Sequence, residues 1–398
     1  MSLFRRGAPE QRSFETEALF ALRGRNSTAG QVVTDETSSR LMAVWRCKHL
    51  IADIVSGLPI DQFTERGGPR KRVAKSEIVA SPSEMVFAEE WRYQLLLDAA
   101  SYGNGLAFTT KFGPSGWPVR SETVSWSDVQ VRQERGAFSP PEYRINGELV
   151  DTARVMHLRA FGPRAGTVLG MSPIAYARET IGLGLAVREF GSNWYESGGH
   201  PTSLLSTAQP INDDQALAAK EKFRSATRGD HIAVLGNGWD LKSVQVAPDD
   251  ALFLAATAAT SVDICGYYGI PPELIGYAPQ GKGSITYANR EQRAIDVLVF
   301  TLQWWISRME RLISAQLPNG QFTKINVDAF LRSDAATRWK IHDTAVRLGA
   351  MSIDEVRDLE DEGPLPDGTG NRYVWPPGSA STTADTPPAP AGGTDGTP

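Results

Sequence analysis

Residues 249–316 constrain this chain most: two helices of different character separated by a loop rich in proline and glycine. The first opens at Asp249 and Asp250, whose carboxylates suit the free N–H groups and the positive end of a helix. Its body is small. Ala255, Ala256, Ala258, Ala259, Thr260 and Ser261 admit a close helical neighbour, and Pro271 and Pro272 stop the helix after Tyr267, Tyr268 and Gly269. The loop, with Pro279, Gln280, Gly281, Lys282, Gly283 and Ser284, carries no apolar period, which predicts a segment standing off the body. Periodicity then returns at Ile295, Leu298, Val299, Leu302, Trp305, Ile306, Met309 and Ile313, and Pro318 to Gly320 end it. A helix over 289–316 would be roughly 40 Å long at the usual rise per residue, long for one globular domain.

Within the loop, Gly276 to Lys282 reads Gly-x-x-x-x-Gly-Lys, the opening of a phosphate-binding loop. Such a loop needs Ser or Thr next, to hold Mg²⁺, and a buried strand before it. Here Gly283 follows the lysine, and Pro271 to Ile275 makes a poor strand. A nucleotide-binding enzyme using Gly276–Lys282 is therefore the alternative reading, and it predicts nucleotide binding that depends on Lys282.

Several function classes fall away on composition. At 398 residues and 41% hydrophobic content the chain suits two or three packed units. No apolar run approaches the roughly 18–20 residues of a spanning helix, and Met1 to Gln11 lacks the apolar core of a signal peptide, so no membrane and a cytoplasm-like compartment are expected. Cys47 and Cys265 both fall in predicted helices, which favours buried thiols over a disulfide or a metal site. The histidines, His49, His157, His200, His231 and His342, show no ligand spacing, so no metal is expected. No catalytic residue and no cofactor is assigned. His157 reads as a satisfied sheet histidine, since no nucleophile or carboxylate accompanies it. A net charge of −5 argues against a general nucleic-acid binder held by phosphate neutralisation, while leaving room for a protein that surrounds DNA without gripping it.

In chain order, 1–35 reads as a flexible arm. A helix from Ser39 is expected to line one face with Leu41, Val44, Trp45, Ile51, Ala52, Val55 and Leu58 and leads into a strand, Ile60 to Thr64. Arg66, Arg70, Lys71, Arg72 and Lys75 surround a turn, read as solvated or as touching a phosphate or acidic partner. A helix over 89–102 precedes strands at 106–112, 128–133, 142–145 and 155–161, read as one antiparallel meander in an α+β unit. Pro173 starts another helix, reaching about Tyr195. Residues 202–247 read as a compact mixed module with strands at 203–207, 231–235 and 241–246 and a polar helix at 213–227, which carries Lys220, Lys222, Arg224 and Arg228. A strand at 324–329 and helices at 334–348 and 352–360 follow, the last opened by a capping box from Ser352 to Glu355. Residues 366–398 are a disordered tail by composition.

Six stretches in this order resemble the HK97-like portal proteins of tailed bacteriophages: IADIVSGLPI at 51–60, YGNGLAF at 102–108, VMHLRAFGPRAGTVLGMSPI at 155–174, FGSNWYESGGHPTSLL at 190–205, YYGIPPELIG at 267–276 and RLGAMSIDEVRDLEDEGPLP at 347–366. The resemblance covers roughly residues 36–365. It implies an α+β portal-type fold: an α/β wing (36–172), first stem helix (173–198), small mixed α/β clip (199–247), second stem helix (248–270), tunnel loop (271–288), long wing helix with its return strand (289–329) and a helical crown (330–365). It also implies a homo-oligomeric ring, usually of twelve copies, at one vertex of the head, a virion component made in the host bacterial cytoplasm. Its implied partners are double-stranded DNA in the channel, the terminase large subunit as a separate motor, major capsid and scaffolding proteins, and a head-tail adaptor. On this reading Gln280, Lys282 and Ser284 face DNA, and the cluster Lys220, Lys222, Arg224 and Arg228, otherwise a solvated helix face, meets the motor or a connector. A third reading is a different oligomeric connector or nucleic-acid scaffold without a through-channel.

Overall fold

The computed structural model describes residues 25–66, 68, 70–133, 140–162, 167–196, 203–207, 212–219, 221, 239–243, 250–277, 295–327, 335–360 and 362–373. The chain forms two compact units, Met1–Val327 and Asp328–Pro398. Helices and antiparallel sheets mix in an α+β arrangement.

The first unit opens with order where a flexible arm was expected up to residue 35. Strands β1 (Arg25–Asn26) and β2 (Val32–Val33) pair as a short hairpin, and helix α1 (Asp35–Ser38) follows through a Thr34–Thr37 capping box. Helix α2 (Met42–Gly57) buries Val44, Ile51, Ala52 and Val55 of the expected face, with Cys47 beside them, but Trp45, counted in that face, is 49% exposed. Lys48 is also buried. Its Nζ donates to Asp35 Oδ1 at 2.7 Å and Ser39 Oγ at 2.8 Å, so an ammonium that would be costly unpaired instead fastens α1 to α2.

Strands β3 (Ile60–Thr64) and β4 (Lys71–Val73) lead to the short helix α3 (Glu77–Ala80) and helix α4 (Ala88–Tyr102). Gly103, at φ +78°, ends α4 in the left-handed conformation that glycine adopts without strain. Next come β5 (Asn104–Phe112), β6 (Pro118–Val124), β7 (Val129–Arg132), β8 (Glu142–Ile145), β9 (Glu148–Val150) and β10 (Val155–Arg159). The expected single meander is in fact two sheets: β7-β8-β9, and β10-β5-β6, where β10 returns to pair with β5. Strand β6 is not evident in the sequence, because its apolar period is interrupted by Arg120 and Glu122. The two sheets share a core of Leu106, Trp126, Val129, Val131, Tyr143 and Leu169.

Helices α5 (Pro173–Tyr176) and α6 (Arg178–Glu196) replace the single helix expected from Pro173, with the break at Ala177. Strands β11 (Ser203–Thr207) and β12 (Trp239–Ser243) pair as a two-stranded sheet, and 213–219 is helical. The strand expected at 231–235 lies outside the described residues. Helix α7 (Asp250–Tyr268) packs along α6 and crosses α2. Helix α8 (Gln303–Ser314) follows, and strand β13 (Gln321–Ile325), three residues earlier than expected, adds to β3 and closes the sheet β13-β3-β4. Glu310 on α8 holds that strand: its Oε1 accepts from Ile325 N at 2.8 Å and its Oε2 from Lys324 Nζ at 2.8 Å.

In the second unit, α9 (Ala335–Arg347) and α10 (Ile353–Leu359) are joined by a bidentate pair. Arg338 donates to Glu360 Oε1 at 2.5 Å and Oε2 at 3.0 Å, and His342 Nε2 lies 3.1 Å from Oε1. The capping box from Ser352 to Glu355 is present as the sequence indicates.

Candidate functional site

The residues singled out by the sequence, Gln280, Lys282 and Ser284 and the cluster Lys220, Lys222, Arg224 and Arg228, lie outside the described residues. What the structure supplies is the frame from which residues 278–294 depart and to which they return.

The departure is set by backbone chemistry. Gly269, at φ +68°, closes α7, and Pro271 begins a 3₁₀ turn over Pro272–Ile275 because no helix can continue through two prolines. Gly276, at φ +94°, ends that turn in a left-handed cap. A 3₁₀ turn, not a strand, therefore precedes the Gly276–Lys282 motif. That removes the buried strand a phosphate-binding loop requires. The chain re-enters at Ile295 and passes through a π-helical turn, Leu298–Leu302, before α8. Leu298 and Leu302 face the core while Phe300, on the opposite face, is 81% exposed. Thr301 Oγ1 donates to Gly269 O, which ties the return directly to the point of departure. The 3.6-residue period of the sequence gave no warning of this, and Val299, counted in the apolar face, is exposed.

An aromatic cluster holds the frame rigid. Trp305 lies edge-to-face against Trp304 (centroids 5.1 Å, 85°) and Phe161 (5.5 Å, 87°), and Phe161 in turn meets Tyr268 at the end of α7 (6.4 Å, 79°). These are the preferred geometries for ring quadrupoles. Arg308 lies 3.8 Å over the Trp304 ring and donates from Nη1 to Arg159 O at 2.6 Å. Phe161 adopts φ +47°, an uncommon conformation for a bulky residue that the surrounding rings over-determine.

Behind the frame, α2, α6 and α7 border a cavity of about 460 Å³ lined by Leu41, Gly184, Thr260, Ile264, Tyr277 and others. Of the small residues expected to admit a close helix, Thr260 and Ser261 are buried and Ala258 is half-buried, while Ala255, Ala256 and Ala259 are exposed. The β1-β2 hairpin is fastened to α6. Thr28 N donates to Glu179 Oε2 at 2.8 Å, and a side chain at Gly182 would collide with Ser27.

The titratable groups are structural. His157 stacks on Trp126, and Asn104 Nδ2 donates to Tyr102 O and Gly170 O, which fixes the amide. Asn104 Oδ1 then accepts from His157 Nε2 at 3.0 Å, leaving Nδ1 to accept the Tyr143 hydroxyl at 3.0 Å. Burial, with Arg159 nearby, holds this imidazole down at about 3, so it is neutral. Asp98, raised to about 6 by burial, accepts from Trp126 N at 3.1 Å. No nucleophile stands beside either group, and among the described residues no three potential ligands come together to hold a metal.

The comparisons agree with an architecture of this kind. The family model described as phage portal protein matches residues 42–361. A probable portal protein of Streptomyces phage phiC31 is 28% identical over 377 residues, covering 89% of this chain and 81% of that one. Among solved structures, an HK97 family phage portal protein from Corynebacterium diphtheriae superposes with a TM-score of 0.59 at 14% identity, over 78% of this chain and 98% of that chain. A chain from the neck of a native gene transfer agent particle, computed with C12 symmetry, gives a TM-score of 0.52 at 19% identity, over 88% of this chain and 99% of that chain.

Proposed function

The chain belongs to the phage portal protein family, and from that membership we propose that it is one subunit of the ring-shaped DNA channel at a single head vertex. The observation that carries the reading is the family match running unbroken from α2 to the end of α10, across both units. In this reading the ring nucleates head assembly, admits the genome, releases it at ejection and joins head to tail. The ring is of twelve copies, a number supported by the twelvefold neck of the gene transfer agent relative.

The regions then take roles. Residues 36–172 with 289–329 form the wing, 173–198 and 248–270 the stem, 199–247 the clip, 271–288 the tunnel loop and 330–365 the crown. The exposed small residues of α7, Ala255, Ala256 and Ala259, suit close helix packing in a heterologous contact, which forms a ring when its rotation closes. A net charge of −5 per copy gives a ring of twelve roughly −60, which repels phosphate overall and lets DNA slide. The chain is not an enzyme on this account. The terminase large subunit supplies the motor and meets the clip at Lys220, Lys222, Arg224 and Arg228. The scaffolding and major capsid proteins surround the wing, the head-tail adaptor follows the motor, and the subunit is made in the host bacterial cytoplasm.

Lys282 forms one ring of positive charge at the tip of the tunnel loop, with Gln280 and Ser284 beside it, touching the DNA backbone transiently. Particles carrying Lys282→Ala are expected to package DNA at an altered rate and to lose more of it before tail attachment, read by nuclease protection over time. Unchanged rate and retention would remove Lys282 from the channel wall.

A further inference from the structure

The two cysteines, read from the sequence as separate buried thiols, lie against each other. Cys47 on α2 and Cys265 on α7 are fully buried and free, with Sγ atoms 3.9 Å apart although 218 residues separate them. We infer that Cys47 and Cys265 form a dithiol modification site that a small hydroperoxide converts to a disulfide, locking α2 to α7. Beyond the portal reading, this inference needs only the fold; joined to that reading, the lock fastens wing to stem.

The geometry is close to what the bond demands. A disulfide brings its sulfurs to about 2.0 Å with Cβ atoms roughly 3.5–4.5 Å apart, so the sulfurs must approach by roughly 1.9 Å. The sulfurs already lie within weak hydrogen-bond distance on two helices packed against each other. A soft metal ion is not the better occupant, because among the described residues no third ligand accompanies the pair.

The two sulfurs are not equivalent. Cys47, which donates its S–H to Cys265 and is buried, is held far above the usual thiol range, while Cys265, receiving that hydrogen bond, is lowered. Cys265 is thus the sulfur that ionises first and attacks. Its thiolate takes the near oxygen of the peroxide, the O–O bond breaks, and a sulfenic acid and hydroxide form. The Cys47 sulfur then displaces the sulfenic hydroxyl, losing its proton, so that one S–S bond and two waters replace two thiols and one peroxide. In a reducing compartment the pair stays as thiols; after release into an oxidising one it closes. Because both sulfurs are buried, closure waits for local opening of the α2–α7 contact.

The test uses the full chain, purified reduced and treated with hydrogen peroxide. After unfolding and alkylation, peptide mapping is expected to find one cross-linked pair joining the Cys47 and Cys265 peptides, reversed by dithiothreitol, and the thermal transition of the oxidised protein to rise by several degrees. Cys47→Ser is expected to trap Cys265 as a dimedone-reactive sulfenic acid. Cys265→Ser, leaving the weaker acid, is expected to react several-fold more slowly. If the peroxide-treated chain instead alkylates fully at both cysteines, forms covalent dimers, or carries sulfinic acid without the cross-link, the inference is overturned. The wild-type protein decides this by itself, whether or not either variant folds.

Discussion

Gly170→Ala is expected to lower the melting temperature of the purified chain by on the order of 10 °C. A Cβ at Gly170 would lie 2.1 Å from Gly103 O, 2.5 Å from Ala160 O and 2.9 Å from Ala160 N. All three are backbone atoms, so no side-chain rotation relieves the clash. They also belong to one another's hydrogen bonds: Ala160 N donates to Gly103 O at 2.7 Å, and Gly170 N to Asn104 Oδ1 at 2.7 Å. Moving the strand apart therefore breaks the polar bridge that fixes Asn104 and, through it, His157. Overpacking of this kind costs about 3 kcal/mol, and at roughly 2–4 °C per kcal/mol for a domain of this size the shift follows. The contrast is Gly116→Ala. That glycine has φ +78°, which Gly170 does not share, and nothing lies within 4 Å of a Cβ there, so only the backbone strain of about 1–2 kcal/mol applies. Equal shifts for the two variants would show that the crossing of 103–104 with 170–171 is not the tight point described.

Trp305→Ala is the second large effect, about 3–5 kcal/mol as for other buried tryptophans. Trp305 is 1% exposed and lies edge-to-face against both Trp304 and Phe161, so its loss empties the centre of the cluster that joins α8 to the end of α7. Trp305→Phe keeps an edge-to-face partner and is expected to cost less than half as much. Phe300→Ala, five residues earlier but 81% exposed, is expected to leave the isolated chain within ~0.5 kcal/mol of its starting stability. Denaturant unfolding of the three variants checks the order. If Phe300→Ala proved as damaging as Trp305→Ala in the isolated chain, the π-helical turn would not be placed as described.

Sequence reasoning reached what depends on local chemistry. The end of α4 at Tyr102, Ser352 with Glu355 as the start of α10, the proline stop after α7 and the buried face of α2 apart from Trp45 each follow from local residue patterns. It failed where distant pairing decides. The return of β10 to β5 rather than onward to β9, the addition of β13 to β3, and the hairpin at residues 25–33 held by Glu179 on α6 all involve partners far apart in sequence. The π-helical turn is a different failure: it falls within an apolar period that reads as regular, and Val299, counted in that period, is exposed. The candidate site was legible in order but not in contact. The loop's position between two helices could be read directly, whereas the Thr301–Gly269 tie, the aromatic cluster under it and the meeting of Cys47 with Cys265 needed three dimensions.

The central claim is a closed ring, and mass tests it most directly. Native mass spectrometry of the purified chain, with negative-stain images of the same sample and of the vertex complex extracted from particles, is expected to give an assembly near twelve times the 43.3 kDa subunit with a central hole. A vertex complex holding one or two copies, or a compact assembly without a hole, would contradict it.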